Sequence, residues 1–316
     1  MSEIITRESC SDFPYDSDET IAQRFKKDRI MDLTEQYLEE GIECDIKSEL
    51  GDRKFVVSYI KGDSQFADIP LSVETDVFSK IFKQKPSQII EDYGKYDSQS
   101  IFATVIDASA ERPVPAGILR IIQHHSEVGF KDVNDLVKDE VDNPWIDEIK
   151  SQYFSKDEEY SPSLAWARLG EREGVNLVLN ESLDIATHAS SDEYRGAHGD
   201  INGVSMLFYH SCLRYALAHQ KNNLLAIFDI PPLENLQQFG NPFETYSELN
   251  PHPYGGPYDT LPAYCVIERG MNKIRDNSKD IGRVFIDGMS LNDNALLPNE
   301  YMPEVYSNEI NGLDSI

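Results

Sequence analysis

Two apolar segments, joined through a glycine-containing turn and a long apolar helix, occupy residues 181–228 and constrain the fold more than any other stretch. The pattern predicts a strand over Leu183–His188, a turn over Tyr194–Asp200, a helix over Gly203–His219 and a strand over Leu224–Phe228. A turn of this kind directs several backbone N–H groups and the positive end of the helix dipole at one point. The stretch therefore predicts a phosphate-binding site where the turn meets the helix.

The predicted helix is apolar on all sides, because Arg214 is its only charged residue, so other elements have to cover it. Further strands are predicted at Lys54–Ile60, in a hairpin of Ser100–Asp107 with Pro115–Gln123, and at Ala263–Glu268. This order of elements predicts an α/β (α+β) fold, in which a mixed, mostly antiparallel sheet has helices on both faces.

Weaker patterns complete the predicted architecture. They indicate a helix within 21–43, a strand at Ile69–Val73, a helix over Glu74–Lys83, a further helical part of Pro86–Asp92, short helices within Asp132–Lys150, a short helix over Leu233–Phe239, and irregular structure over Pro251–Pro262. Residues 1–20 are polar and acidic and are predicted to be disordered. We expect an acidic N-terminal extension with a helix (1–50), one α/β domain (51–270) and an acidic C-terminal tail (271–316).

The chain carries 29 Lys and Arg residues against 56 Asp and Glu residues, a formal net charge of -27. Nucleic acids and anionic membranes are bound through neutralisation of phosphate by Lys and Arg, so neither is expected as a partner. No run approaches the roughly 20 apolar residues that span a bilayer, and the N-terminus has no signal-peptide pattern. We therefore expect a cytoplasmic protein.

Cysteine and histidine residues have no spacing that suggests a disulfide framework or a metal site. Cys212 and Cys265 fall in apolar segments, where we expect buried free thiols. None of the seven histidines belongs to an HExxH motif or to another ligand spacing, so no metal is expected. The sequence also lacks GxSxG and the P-loop motif, which disfavours the common hydrolase and P-loop classes.

The strand, the turn that begins with Arg195-Gly196, the helix and the second strand resemble the coenzyme A-binding core of the GNAT acyltransferase superfamily. In that family the turn holds the pyrophosphate through backbone N–H groups. The resemblance implies a GNAT-like sheet whose fourth and fifth strands diverge, here Ile185–His188 and Leu224–Asp229. It also implies transfer of an acyl group from acyl-CoA or acetyl-CoA, or a carrier-linked thioester, to an amine of a small metabolite or amino acid. A homodimer is compatible with it.

Within the superfamily, two features resemble the branch of autoinducer synthases and N-acyl amino acid synthases. One is Glu181-Ser182 at the start of the fourth strand, and the other is the long Pro/Gly-rich segment before the closing strand. The residues that the resemblance places on the acyl donor lie on the fourth strand and in the turn: Ala186, Thr187, Arg195, Gly196, Ala197, His198, Gly199 and Asp200.

Three positions depart from the family pattern. His198 and Asp200 stand where the turn has glycine or alanine, and Leu236 stands where the family has a tyrosine that protonates the departing thiolate. These departures leave an alternative open, in which the chain is a non-catalytic GNAT-shaped binding or regulatory module without the pyrophosphate contacts.

Acyl transfer to an amine needs a base, and several residues are candidates. Glu181 and Asp184 are the carboxylates nearest the fourth strand; alternation places them on opposite faces, and a surface carboxylate is the other reading of each. His188 is a further candidate base, or a structural histidine. Tyr254 and Tyr258 could supply the acid, or could only pack their loop against the sheet.

Overall fold

The structure is a computed structural model that describes residues 17–40, 44–50, 53–138, 143–194, 204–238, 242–254, 256, 258–277 and 286. Within these residues the chain forms one sheet of nine strands: β1 (Cys44–Leu50), β2 (Arg53–Lys61), β3 (Ser100–Asp107), β4 (Val114–Gln123), β5 (Ser182–Ser190), β6 (Asn223–Asp229), β7 (Glu244–Thr245), β8 (His252–Pro253) and β9 (Asp259–Val266). The strand order is β1-β2-β3-β4-β5-β6-β9-β7, with β8 also paired to β9. All pairs are antiparallel except β5 with β6.

Helices cover both faces of this sheet. Their bounds are α1 (Asp18–Arg24), α2 (Lys27–Glu39), α3 (Asp68–Ile81), α4 (Pro86–Gly94), α5 (Lys131–Val137), α6 (Ile146–Tyr153), α7 (Pro162–Arg172), α8 (Val204–Ala218), α9 (Ile230–Gln238) and α10 (Ile267–Asn277). The predicted mixed, mostly antiparallel sheet with helices on both faces is confirmed. Among the described residues, no helix is both long and apolar enough to span a bilayer.

Strand β4 illustrates how the two faces are built. Leu119 and Ile121 pack in the cluster that contains α8, whereas Ile118 and Ile122 pack in clusters that contain α3 and α5–α7. This alternation is the period-2 pattern of a strand that is buried on both faces. We call the two sides the α8 face and the α5 face. On α8, no side chain described between 204 and 217 is exposed, as its apolar sequence predicted.

The parallel pair β5–β6 is short. Ser182, Leu183 and Asp184 pair with Asn223, Leu224 and Leu225, and the ladder ends there. Beyond this point β5 stays paired with β4, and β6 stays paired with β9 along its whole length. The two strands therefore diverge, as the resemblance implied, and we call the gap between them the splay.

Two predicted segments are corrected by the structure. Ile69–Val73 was expected to be a strand, but it lies in α3. Ile69, Val73 and Val77 are spaced by four residues and are all buried, which is a helical pattern, and Pro70 is tolerated because it lies in the first turn.

The Pro/Gly-rich segment is not wholly irregular, because His252 and Pro253 pair with Thr260 and Asp259. Helix α10 was not predicted, and it extends from Ile267 to Asn277, into the segment expected as the acidic C-terminal tail. Strand β1 and helix α7 were not predicted. The division into an extension, a domain and a tail stays a prediction, and residues 1–16 and 287–316 lie outside the described residues.

A fully buried arginine connects the sheet to the α5 face. The Arg120 guanidinium, from β4, donates from Nε and Nη2 to the Glu74 carboxylate of α3 at 3.1 and 2.7 Å. Its Nη1 donates to Asp97 Oδ1 at 3.0 Å and to Ser100 Oγ at 3.2 Å. Burial raises the pKa of Asp97 to about 6, against the lowering effect of Arg120. The network fixes α3 on the sheet, because each buried charge depends on the others.

We predict that Arg120→Ala lowers the free energy of unfolding by about 3–5 kcal/mol, because it leaves the Glu74 carboxylate buried without its counter-ion. Urea denaturation at pH 7.5 measures this value. Arg112→Ala is the matched control, since Arg112 pairs with Asp32 and Glu35 at the surface, and its loss should be much smaller. Equal losses for the two variants would contradict the role given to the buried network.

Candidate functional site

The splay begins beside a β-bulge in β5. Arg120 of β4 pairs with Thr187 and its neighbour Ile121 pairs with Ile185, so that Ala186 is an extra residue in the ladder. The Ala186 carbonyl accepts a hydrogen bond from Tyr93 Oη of α4 at 3.4 Å. Bulges of this kind redirect the backbone groups and side chains next to them. Here the bulge lies two residues after Asp184, the last residue that pairs with β6.

Asp132, in the first turn of α5, bridges the two strands where their ladder has ended. Its backbone N–H donates to Asp184 Oδ2 at 3.0 Å, and its own Oδ2 accepts from the Ile227 N–H of β6 at 2.8 Å. The Asp184 carboxylate thereby satisfies one of the N–H groups that a helix leaves free in its first turn. Both aspartates are buried. The bridge ties α5 to the splay from the α5 face.

Burial dominates the electrostatics of this carboxyl pair. It raises the pKa of Asp184 to about 6, against the lowering effect of the hydrogen bonds from Asp132. Burial and the negative charge of Asp184 together raise the pKa of Asp132 well above its usual range, while Lys131 acts in the opposite direction. Oδ1 of Asp184 meets no hydrogen-bond partner within the described residues. Two coupled carboxyls with raised pKa values retain a proton to higher pH than exposed aspartates do.

A cation and two tyrosines border this pair. Lys131 Nζ donates to Asp135 Oδ2 at 2.5 Å, and Tyr254 Oη donates to the same oxygen. The ammonium group also lies 4.9 Å from the centre of the Tyr93 ring. Burial raises the pKa of Tyr254, so the phenol stays protonated. Carboxyl, ammonium and phenol groups therefore lie together beside the splay on the α5 face.

Of the four candidate catalytic residues, Asp184 alone lies in this cluster. Glu181 is exposed, and its Oε2 accepts from Asn222 Nδ2 at 2.7 Å, which fastens the starts of β5 and β6. The His188 ring packs against Phe208 of α8 with a centroid distance of 5.1 Å. It therefore lies on the α8 face, whereas Asp184 lies on the α5 face.

The tyrosines of the Pro/Gly-rich segment have different surroundings. Tyr258 is 47% exposed, and Tyr254 is the one that contacts the cluster, through Asp135. Of the residues expected on the acyl donor, Ala186 and Thr187 lie at the bulge. The turn residues Arg195, Gly196, Ala197, His198, Gly199 and Asp200 lie outside the described residues, so their role stays a prediction.

The sequence did not single out Tyr93, Lys131 or Asp132. Asp132 belongs to a region for which only short helices were predicted, and Tyr93 lies one residue beyond the predicted helical segment Pro86–Asp92. No local pattern could have identified them, because their roles depend on contacts with residues about 50 to 100 positions away. In the described part of the chain, no group of three or more His, Cys, Asp or Glu side chains could hold a metal ion.

Comparison with solved structures finds proteins of similar fold. The chain resembles a CoA-dependent acyl-homoserine lactone synthase, BjaI, at 10% identity and a TM-score of 0.42, over 72% of this chain and 89% of that one. It resembles FeeM, an N-acyl amino acid synthase from uncultured soil microbes, at 11% identity and a TM-score of 0.44, over 70% and 95%. A spermidine N-acetyltransferase SpeG chimera from Vibrio cholerae and hSSAT matches at 10% and 0.38, over 69% and 98%.

These structures include both kinds of protein that the sequence was found to resemble. At such identities and TM-scores, no activity, substrate or site residue of this chain follows from them. No protein-family model matches the chain, and no curated protein matches it in sequence.

The raised pKa of Asp184 predicts a pH-dependent effect on stability. A carboxyl whose pKa is higher in the folded state favours folding fully below its unfolded pKa of 3.8, and this contribution is lost as pH rises to about 6. Asp184→Asn removes the titration. Between pH 4 and 7, the unfolding free energy of the variant should therefore rise relative to wild type, by up to about 3 kcal/mol. Urea denaturation across this range measures it.

Asp68→Asn is the control, because its unfolding free energy relative to wild type should change with pH in the opposite direction. Although burial acts to raise the pKa of Asp68, Arg24 and Arg29 lower it overall. The ionised Asp68 carboxylate therefore stabilises the folded state at neutral pH, and this stabilisation is lost as the pH falls. Because Asp68→Asn lacks it at every pH, the variant should become less stable relative to wild type as the pH rises. A pH-independent difference between Asp184→Asn and wild type would contradict the electrostatics described for the pair.

Proposed function

We propose that this chain is an N-acyltransferase, which moves an acyl group from a CoA-type thioester bound along the splay to the amine of a small acceptor. The observation that carries the proposal is the joint position of three features. The β5–β6 ladder ends at Asp184, the bulge at Ala186 follows, and the buried Asp132–Asp184 pair lies beside both.

Acyl transfer needs a polarised thioester carbonyl, an amine without its proton, and a geometry that brings the two within ~3–3.5 Å. A strand whose neighbour has moved away offers backbone N–H groups for the carbonyl oxygen. On β5 this segment follows Asp184 and includes Ala186 and Thr187, the residues that the sequence resemblance placed on the donor.

The carboxyl pair supplies the base in this proposal. We assign the shared proton to Asp132 and the negative charge to Asp184, because Asp184 Oδ2 accepts from the Asp132 N–H while Asp184 Oδ1 has no hydrogen-bond partner among the described residues and can accept a proton. Asp184 accepts the proton that the amine nitrogen releases as the new N–C bond forms and the C–S bond breaks. A base with a pKa near 6 is ionised at neutral pH and still accepts a proton from an ammonium group that is becoming acidic.

The donor that we propose is a free CoA-type thioester. Net charge disfavours an acidic carrier protein, which would bring a large surface of like charge against a chain with a net charge of -27. Its diphosphate is assigned to the turn 195–200 on the basis of the sequence. The acceptor is a small amine, such as an amino acid or a polyamine, because the carboxyl groups beside the bulge attract a cation.

Donor binding is tested by thermal unfolding with acetyl-CoA and with decanoyl-CoA. Binding to the native state alone should raise the melting temperature progressively with donor concentration. Arg195→Ala should abolish this rise, and Arg172→Ala, which removes an arginine that pairs with Glu248 at the surface, should preserve it. A flat response to both donors from a folded chain would instead favour the non-catalytic module.

Catalysis is tested by amide formation from the donor that binds, with the twenty amino acids, putrescine and spermidine as acceptors. We predict that Asp184→Asn lowers kcat/KM by about 10²–10⁴-fold, because the base is lost while the hydrogen bond to the Asp132 N–H can be kept. In wild type, kcat/KM should rise with pH through about 6, as Asp184 ionises, and the variant should lack this step.

Glu181→Gln provides the comparison between the two candidate carboxylates. If this variant loses the pH step and Asp184→Asn keeps it, the base is Glu181 and the assignment to the buried pair is wrong. If neither variant affects an activity that wild type possesses, the carboxyl pair has no catalytic role.

A further inference from the structure

We propose that Tyr93 is the proton donor to the departing thiolate. This assignment rests on the proposed acyltransferase function. It assigns a residue to the protonation of the thiolate, a step that Leu236 cannot perform. Leu236 lies in α9, is 4% exposed and packs in the apolar cluster on the α8 face, so it offers no proton.

Tyr93 reaches the splay from the opposite side of the sheet. Its ring is buried between α4 and the sheet, and its Oη lies 3.4 Å from the Ala186 carbonyl oxygen. Ala186 is the bulge residue and lies two positions after Asp184, the last residue of β5 that is paired with β6. A thioester held along β5 past this point would therefore place its sulfur near a phenol O–H group. The carbonyl contact is long for a hydrogen bond between oxygens, so the hydroxyl can turn to another acceptor.

Two cations lie near the phenol: Arg120, which is fully buried, and Lys131, whose side chain is 14% exposed. The Arg120 guanidinium carbon lies 4.7 Å from the ring centre, and Lys131 Nζ lies 4.9 Å from it. Burial raises the pKa of Tyr93 to about 12, so the group carries its proton at neutral pH. When the proton leaves, Lys131 and a hydrogen bond from the Thr187 side chain act to stabilise the phenolate, whereas Glu74 and Asp132 oppose it. The Tyr93 ring also makes an edge contact with the Phe78 ring, with 6.5 Å between the two ring centres.

Tyr254 and Tyr258, the other two tyrosines considered, are less suited to protonate the thiolate. Tyr254 already donates its hydroxyl hydrogen to the Asp135 carboxylate, which also binds Lys131. Tyr258 is 47% exposed, so water would compete for any proton transfer. Tyr93 is the phenol among these three that contacts the bulge.

The proton balance closes with the proposed base. The amine nitrogen bonds to the acyl carbon, the C–S bond breaks, and the thiolate takes the hydrogen of Tyr93 Oη to leave as a free thiol. Asp184 meanwhile has gained the amine proton. Return of that proton to the Tyr93 phenolate, directly or through water, restores both groups. The products are an amide and a thiol, and no other reactant is needed.

The test compares Tyr93→Phe with wild type on two thioesters of the same acyl group, both with the acceptor amine identified in the amide assay. One is the N-acetylcysteamine thioester, whose alkyl thiolate needs a proton to leave. The other is the thiophenyl ester, whose stabilised thiolate leaves without one. We expect Tyr93→Phe to lower kcat/KM by about 10²-fold or more with the alkyl thioester and by only a few-fold with the aryl thioester. The ratio of the two effects cancels losses in binding or folding.

Tyr96→Phe is the matched control, because Tyr96 is also buried and its hydroxyl instead accepts from Asn134 Nδ2 at 3.1 Å. It should affect both thioesters equally. If Tyr93→Phe does not fold, 3,5-difluorotyrosine at position 93, a more acidic phenol, should raise the rate with the alkyl thioester alone.

Equal losses on both thioesters from Tyr93→Phe would overturn the assignment and leave the proposed function standing. No effect of the fluorinated residue on the alkyl thioester would overturn it as well. Failure of wild type to form amide from both acetyl-CoA and decanoyl-CoA would refute the proposed function itself, and the role of Tyr93 with it.

Discussion

Asp132 holds two diverging strands together at the point where their own hydrogen bonds end. Its side chain accepts from the Ile227 N–H of β6, while its backbone N–H donates to the Asp184 side chain of β5. A backbone N–H that has lost its strand partner inside a protein costs free energy unless another acceptor satisfies it. Helix α5 supplies that acceptor, and the same contact brings two carboxyls into one buried volume. The contact that bridges the separated strands is therefore also the one that buries the two carboxyls and raises their pKa values.

Charged side chains and the Tyr93 ring surround this bridge. The Arg120 guanidinium lies against one side of Tyr93, Lys131 lies near the same ring, and Lys131 in turn binds Asp135. Each cation is paired with a carboxylate, so the cluster is stabilised only as a set. Such a network gives its members fixed positions before substrate binds, which is the condition for electrostatic stabilisation of a transition state. Although the chain has a large excess of acidic residues, the ones proposed to act are buried and not part of its solvated surface.

The sequence predicted the elements of the fold better than the residues of the site. The strand and helix over 183–219 and the hairpin of β3 and β4 were predicted because apolar runs and turn residues mark them locally. Ile69–Val73 was misassigned because five residues with a proline do not distinguish a strand from the first turn of a helix. Asp184 was a candidate base from its position next to a strand, but its partner Asp132 is 52 residues away in sequence. A contact of that kind exists only once the sheet and α5 have packed together.

A crystal structure with a thioether analogue of acyl-CoA, which binds but cannot transfer its acyl group, tests the central claim most directly. The account predicts that the pantetheine arm lies between β5 and β6, with its sulfur next to Ala186 and within hydrogen-bond distance of Tyr93 Oη. It also predicts that the Asp132–Asp184 contact persists beside the analogue. An analogue bound outside the splay, or one that reaches the gap only by breaking this contact and displacing α5, would contradict the account.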